Sequence, residues 1–418
     1  MTLKRRSLRF FHESVSDQPK IRGDLDPFHI RNRKGQTYYG FHDPFDLADE
    51  QILMPHDLFY LLQFFDGKHA PNDLKVKYQR KFNQPLETER LQRLVKKLDT
   101  TCLLENSRYT HALQRARDEF RNQDVRGPCC AGSSYPESPE ELRKELNHFA
   151  NVVPSLPKLE KYLANHRIRS MIVPHIDPNL GGESYAQAYR LLSIAPPADV
   201  YVILGIAHST IENNFVLSKK TFKTPLGQLQ TDQQLADKIA EQCPFDMFYD
   251  ELAHRNEHSI EFQAVFLSHF INSPFQILPV LCSLSPDSDP VEQQRFDCFV
   301  SALKNALDNY SGSCCLIASV DLAHVGLKYG HDFRPDPAYL ARVEQNDRRL
   351  LQIMSKQDRN AFNQFFVNSM DEFNICGYAA LRTLLEILPP SKGYLLDYDN
   401  AIMDDDRSTV TFSEMIYI

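Results

Sequence analysis

From residue 168 to the end of the chain, short apolar runs alternate with helical patterns, and this alternation constrains the fold more than any other feature. "IRSMIV", "DVYVIL", "NFVLS", "QILPV", "CCLIAS", "YLLDY" and "STVTFSEMIYI" read as strands. Helices are expected near 183–194, 230–243, 259–271, 290–309, 337–368 and 376–387. Strands that are apolar throughout are buried on both faces, so the expected architecture is α/β, a three-layer α/β/α domain with a largely parallel central sheet. "PCCAGSSYPES" supplies the small and turn-forming residues of a boundary. "SPEELRKELNHF" then opens the domain with a capping box, Ser138 to Glu141, and Pro139 at the first helical position.

The earlier part of the chain reads differently. "RNRKGQTYYGFHDP" suggests a hairpin, "HDLFYLLQFF" a short apolar helix, "PNDLKVKYQRKF" an amphipathic helix, and "ETERLQRLVKKLDTTCLLEN" a helix entering a strand. Three helices and a wing resemble a winged-helix module, most closely the small peptide-binding modules of the PqqD type. It carries no dense basic helix, so packing or contact with a protein partner is expected of it rather than DNA binding. "RYTHALQRARDEFRNQDVRG" reads as a connecting helix. The expected division is a tail over 1–26, the module with its connecting helix over 27–125, and the α/β domain over 126–418.

The formal charge of −8 is mild for 418 residues and is not gathered into a tail, which argues against nucleic acid and an anionic membrane as partners. The nine cysteines form no CxxC pair and no regular framework, the usage of a reducing cytoplasm. The start, "MTLKRRSLRFFHESVSDQ", is basic and is followed by no apolar stretch of signal-peptide length; a ragged, partly disordered tail is expected. No run approaches a membrane span.

Chemistry is expected at the strand ends, because ligands of open α/β sheets bind beyond the carboxyl ends of the strands. "SMIVPHIDP" ends on His175, "VILGIAHST" on His208, and "IASVDLAHVG" on Asp321 and His324. A lone histidine at a strand end is ordinarily structural, but three strand ends agreeing point to one site. Residues three apart share a face of a helical turn, so Asp321 is placed to orient an imidazole or join a metal while His324 moves a proton; the plainer alternative has Asp321 capping a helix. In "HRNEHSIEFQAVFL", Glu257, His258 and Glu261 open a helix, and His254 to His258 also spells H-x-x-E-H, the signature of one class of zinc peptidases. Cys376 in "NICGYAALRTLLEI" opens an apolar helix, where the dipole favours a thiolate as nucleophile or soft metal ligand.

In their order, "AGSSYPESPEEL", "IVPHIDPNLGG", "ILGIAHST", "KTPLGQLQTD", "NEHSIEFQ", "ASVDLAHVG", "ICGYAAL" and "STVTFSEMIY" resemble the Memo-like family, called in bacteria and archaea AmmeMemoRadiSam system protein B. The resemblance runs from about residue 128 to the end and leaves the N-terminal module outside. It implies a fold similar to that of class III extradiol dioxygenases, non-haem iron enzymes that open catechol rings. It places the metal positions on His175, His208 and Cys376, with Asp321 and His324 beside them and Glu257, His258 and Glu261 lining the cleft. Two histidines and one cysteine suit iron, copper or zinc, with Fe(II) expected from the family's likeness to the iron enzymes. The chain departs from the family pattern at "PHIDP" in place of "PHAGY", at Ser209 and Val325, at Tyr378, and at Cys130, where a histidine is usual. The departures fall on the substrate side, where Asp177, Ser209, Glu261 and Tyr378 are expected.

Three functions follow as expectations. The leading one is a metal-dependent redox enzyme of the dioxygenase-like type acting on a small molecule or peptide, with His324, Asp321, His258 and Glu257 as its catalytic groups. The second is a non-catalytic protein that uses the same cleft, helped by the N-terminal module, to recognise a peptide or partner. The third is a zinc-dependent hydrolase built on His254 and His258 or on the His/His/Cys set.

Overall fold

The computed structural model describes residues 18–48, 50–369 and 372–418, so most of the basic tail lies outside the described residues. The chain divides into two compact units between Glu119 and Phe120. The first holds strands β1 (Asp26–Arg31), β2 (Thr37–His42) and β3 (Met54–Pro55) in one antiparallel sheet, then helices α1 (His56–Leu62), α2 (Pro71–Phe82) and α3 (Thr88–Thr100). Asn32 closes the β1–β2 hairpin by accepting the backbone N–H groups of Lys34 and Gln36, and Gly35 takes the left-handed turn position at φ 77°. The sheet precedes the helices, so the order is not the helix, helix, helix, wing of the expected module. After α3 the chain forms an isolated bridge, Ile21 to Leu104, where a strand was expected. The unit boundary falls inside α4 (Ser107–Arg121), the connecting helix.

The second unit runs β4 (Val125–Arg126), α5 (Pro139–Val152), α6 (Pro157–Leu163), β5 (Ser170–Val173), α7 (Pro178–Ile194), β6 (Val200–Ile206), β7 (Phe215–Leu217), β8 (Thr221–Thr224), β9 (Gly227–Leu229) and α8 (Gln233–Ala240). It continues with α9 (His258–Phe270), β10 (Gln276–Cys282), α10 (Pro290–Asp308), β11 (Cys314–Ser319), β12 (His324–Val325), α11 (Pro337–Lys356), α12 (Arg359–Ser369), α13 (Tyr378–Ile387), β13 (Gly393–Ile402) and β14 (Thr409–Tyr417). The central sheet has the order β12-β14-β5-β11-β6-β10-β7, with β13 paired to β14. It is mixed: β5, β11, β6 and β10 form a parallel centre, and β7, β12, β13 and β14 join antiparallel. The helix expected over 337–368 is two helices, because Gln357 turns left-handed at φ 54° and Asp358 accepts the Ala361 N–H to start α12. A small sheet of β4, β8 and β9 was not foreseen; its hairpin lies in "KTPLGQL".

The period of a strand explains the layering. Val200, Val202 and Leu204 of β6 enter one core with α8, α10, α11, α12 and α13, while Tyr201 and Ile203 enter the other with α5, α7 and α9. The chain between β6 and β10 leaves β11 to insert between β5 and β6, which brings the carboxyl ends of these three parallel strands side by side. Helix α9 presses closely on β6: a Cβ at Gly205 would lie 2.6 Å from Ser259 Oγ and 2.7 Å from Ile260 Cγ1. Gly205→Ala is therefore expected to lose about 1–3 kcal/mol in denaturant unfolding by overpacking this contact; an unchanged midpoint would contradict it.

Burial drives the Asp347 carboxyl of α11 up to about 7, against hydrogen bonds to Oδ2 from the Tyr398 hydroxyl at 2.9 Å and Thr411 Oγ1 at 2.6 Å. Unfolded, the group titrates near its ordinary value of 3.8. Between these values only the folded chain holds the proton, so the stabilisation is complete below about pH 4 and is lost as pH rises through about 7. Asp347→Asn is expected to flatten that loss, measured as unfolding midpoints across the same pH range. An identical slope in the variant would show that Asp347 does not set it.

Candidate metal site

The ends of β5, β6 and β11 deliver His175, His208 and Asp321 to one place. His175 is buried, and its Nδ1 faces the Ser319 carbonyl at 2.9 Å, so Nδ1 carries the proton and Nε2 turns its lone pair toward Cys376 and Asp321. Asp321 Oδ1 accepts the backbone N–H groups of His175 and Ile176 at 2.9 and 3.2 Å, and Oδ2 lies 3.6 Å from His175 Nε2. Asp321 thus fixes the turn after β5. No helix follows it: residues 320–323 are irregular and His324 begins β12, so neither the helical-turn spacing nor a helix cap accounts for this pair. His324 Nδ1 faces the Leu322 carbonyl at 3.1 Å and its ring meets Tyr329 edge-on.

Glu257 organises the other side. As the N-cap of α9 it accepts the Ser259 N–H on Oε1 at 2.9 Å, and its Oε2 accepts the His208 N–H at 2.9 Å. His208 Nδ1 lies 3.0 Å and His258 Nδ1 3.4 Å from Glu257 Oε1, and the two imidazoles stack with centroids 4.5 Å apart. Burial alone pushes the Glu257 carboxyl up, but the charge and hydrogen bonds of His208 more than offset it and hold it well below the carboxylate range. The same contact raises His208, whose side chain is 43% exposed, against the desolvation of its ring by the site. Burial lowers His175 to about 3 and His258 to about 4, with the His208 charge adding to both. Asp321 is raised by burial despite nearby His324, and His324 is lowered by burial despite Asp321.

His175, His208 and His258 each offer a nitrogen, all within 4.8 Å of one another. Cys376 Sγ lies 3.6 Å from His175 Nε2 and donates to the Asp321 carbonyl at 3.4 Å. Bonds of about 2.3 Å to sulfur and about 2.1 Å to nitrogen at a tetrahedral angle separate two donors by about 3.6 Å. The His175/Cys376 separation therefore fits two ligands of one metal. The Nδ1 partners of His175 and His208, a carbonyl and a carboxylate, are those that fix metal-binding imidazoles. His258, expected as an acid/base group, also stands within ligand reach.

Two other expected residues, Tyr378 and Glu261, are committed to packing and to an ion pair. Tyr378 is buried against α12, stacked on Phe362 with centroids 5.7 Å apart, because the first turn of α13 faces the core and not the cleft. Glu261 is buried and spends its carboxylate on Arg126, Tyr135 and the backbone of Cys129 and Cys130. Asp177 caps α7, accepting the Asn179 N–H at 2.9 Å. Ser209 stands beside His208 with its Oγ buried and without a hydrogen-bond partner among the described residues. The H-x-x-E-H reading fails on geometry: His254 ends a 3-10 turn before α9 begins, is buried, and spends Nε2 on the Val216 carbonyl at 3.1 Å.

A supporting layer escaped the sequence reading. Gln263 donates to the Pro174 carbonyl at 2.8 Å and to Ser319 Oγ at 2.7 Å, and accepts from the Tyr189 hydroxyl at 2.7 Å. Ser259 Oγ accepts the Ile206 N–H and donates to the Ile206 carbonyl. Arg126 donates to the carbonyls of His254 and Glu257 at 2.9 and 2.7 Å while paired with Glu261. The polar residues "SIEFQ" inside an otherwise apolar helix were the available signal.

Comparison with known proteins gives the family of the chain. The family model described as Memo-like protein matches residues 126–416. A MEMO1 family protein of Aquifex aeolicus is 28% identical over 407 residues, covering 96% of this chain and 100% of its own. That match takes in the N-terminal unit, which is therefore not an addition peculiar to this chain. MEMO1 family proteins of Methanococcoides burtonii and Thermus thermophilus are 32% and 26% identical, over 48% and 73% of this chain and 68% and 86% of their own. The matched span includes every residue of the histidine cleft, and the chain belongs to the Memo-like protein family.

Proposed function

We propose that the protein is a metal-dependent redox enzyme in which His175, His208 and Cys376 hold iron(II). The observation that carries this reading is the 3.6 Å separation of His175 Nε2 and Cys376 Sγ, with His175 Nδ1 tied to a carbonyl. When bound, a metal with three protein ligands and open positions supplies a place for dioxygen and substrate. The rest falls to the chain. Glu257 orients His208 and receives the proton of its Nδ1–H bond; Asp321 fixes the β5 turn that presents His175. His324, with Nδ1 bonded to Leu322, keeps Nε2 for moving a substrate proton.

Elemental analysis of protein purified without oxygen tests the reading. Near-stoichiometric iron in the wild type, and its loss in His175→Ala and Cys376→Ala with unfolding midpoints preserved, is expected. Full metal retention in both variants would overturn it.

A further inference from the structure

A second cluster lies on the loop before α5. Cys129 is exposed and Cys130 half-buried, and their sulfurs stand 3.4 Å apart. Successive residues of extended chain send side chains to opposite sides. Here one carboxylate bends the chain: Glu261 accepts the Cys129 N–H on Oε2 and the Cys130 N–H on Oε1, each at 2.8 Å. The Cys130 carbonyl in turn accepts the N–H groups of Ser133 and Ser134 at 3.2 and 3.0 Å, closing a tight turn.

Two thiols and a carboxylate within ligand reach suggest a metal, but the hydrogen bonds exclude it. Glu261 Oε1 also accepts from the Tyr135 hydroxyl, and Oε2 from Arg126 Nη1. A carboxylate offers about four acceptor positions, and all are taken. The Arg126 charge would also oppose a cation. That guanidinium instead donates from Nη2 to Cys129 Sγ at 3.2 Å. The neighbouring Cys130 thiol is pushed far up by its hydrogen bond with Cys129, then by burial and the Glu261 charge. The exposed sulfur of Cys129 faces a guanidinium and the half-buried sulfur of Cys130 stands behind it, the arrangement of an attacking and a resolving thiol.

We infer that Cys129 and Cys130 form a hydroperoxide-reactive dithiol that closes to a vicinal disulfide. Cys129 thiolate attacks one peroxide oxygen; the S–O bond forms, the O–O bond breaks, and the leaving oxygen takes up a proton as water or an alcohol. The Cys130 thiol then attacks the sulfur of the Cys129 sulfenic acid; the S–S bond forms, the S–O bond breaks, and the hydroxide leaves as water with the thiol proton. Two thiols lose two electrons and the hydroperoxide gains them. The sulfurs close from 3.4 Å to about 2.05 Å within one short loop. Arg126 links this loop to the Glu257 carbonyl, but the chemistry needs nothing bound in the histidine cleft.

The full-length protein treated with hydrogen peroxide, then denatured, alkylated without reduction and cut with trypsin, reports on the pair through the peptide 127–143, which contains only these two cysteines. The expected result is a peptide two hydrogens lighter that accepts no alkyl group and regains both sites on reduction. Cys130→Ser is expected to stop at a Cys129 sulfenic acid captured by a cyclic diketone, and Cys129→Ser to leave Cys130 reduced. A doubly alkylated peptide in wild type while other cysteines oxidise, or Cys129 carried to sulfinic acid without the cross-link, would overturn the inference. Because the wild-type peptide alone distinguishes these outcomes, the test holds even if a variant folds poorly.

Discussion

Arg126→Met is expected to cost the second unit about 3–5 kcal/mol, because it breaks a buried ion pair from one side. The Arg126 and Glu261 side chains are both essentially inaccessible, at 0% and 1% exposure. Burial lowers the guanidinium and raises the carboxyl, yet the pair charge reverses both: Arg126 stands above its ordinary value and Glu261 below its own. Methionine fills much of the volume but leaves Glu261 charged and unpaired. It also strips the donors from the His254 and Glu257 carbonyls. The carboxyl should then rise and take up a proton on folding, so the deficit should shrink as pH falls. Denaturant unfolding at neutral and mildly acid pH checks both points. A deficit under about 1 kcal/mol would show that the pair is not what holds the 126–135 loop on α9.

With the proposed metal site, Glu257→Gln is expected to weaken metal binding by about 10–100-fold, the range for removing the partner of a ligating imidazole. One carboxylate here caps α9, accepts the His208 N–H and receives the Nδ1 proton of His208. Glutamine keeps the shape and one acceptor, and must present an amide donor to one of these N–H groups. Loss of capping alone costs about 1 kcal/mol of stability. The two effects separate by measuring metal affinity in competition with a chelator and the unfolding midpoint of chelator-treated protein. Wild-type affinity in the variant would mean that Glu257 serves the helix and not the site.

Much of this was readable in one dimension. The strand at 200–206 is apolar throughout and that at 314–319 is apolar up to Ser319 because helices cover both faces, and their run lengths marked where His208 and Asp321 leave the sheet. Tyr378 misled because the first residue of a helix can face either the core or the strand ends. Only the packing of α12 turned its ring inward. His254 misled because a spacing of four carries meaning only within one helix, and His254 ends a 3-10 turn while His258 opens α9.

The sequence by itself determined the layers, the parallel centre and the histidines and cysteine at strand and helix ends, because hydrophobic period and capping act over a few residues. Tertiary structure alone decided which of these groups meet. Arg126 and Glu261 are 135 residues apart, His175 and Cys376 201. Such pairs depend on which strand inserts beside which, and on one buried carboxylate finding the hydrogen-bond donors that burial demands.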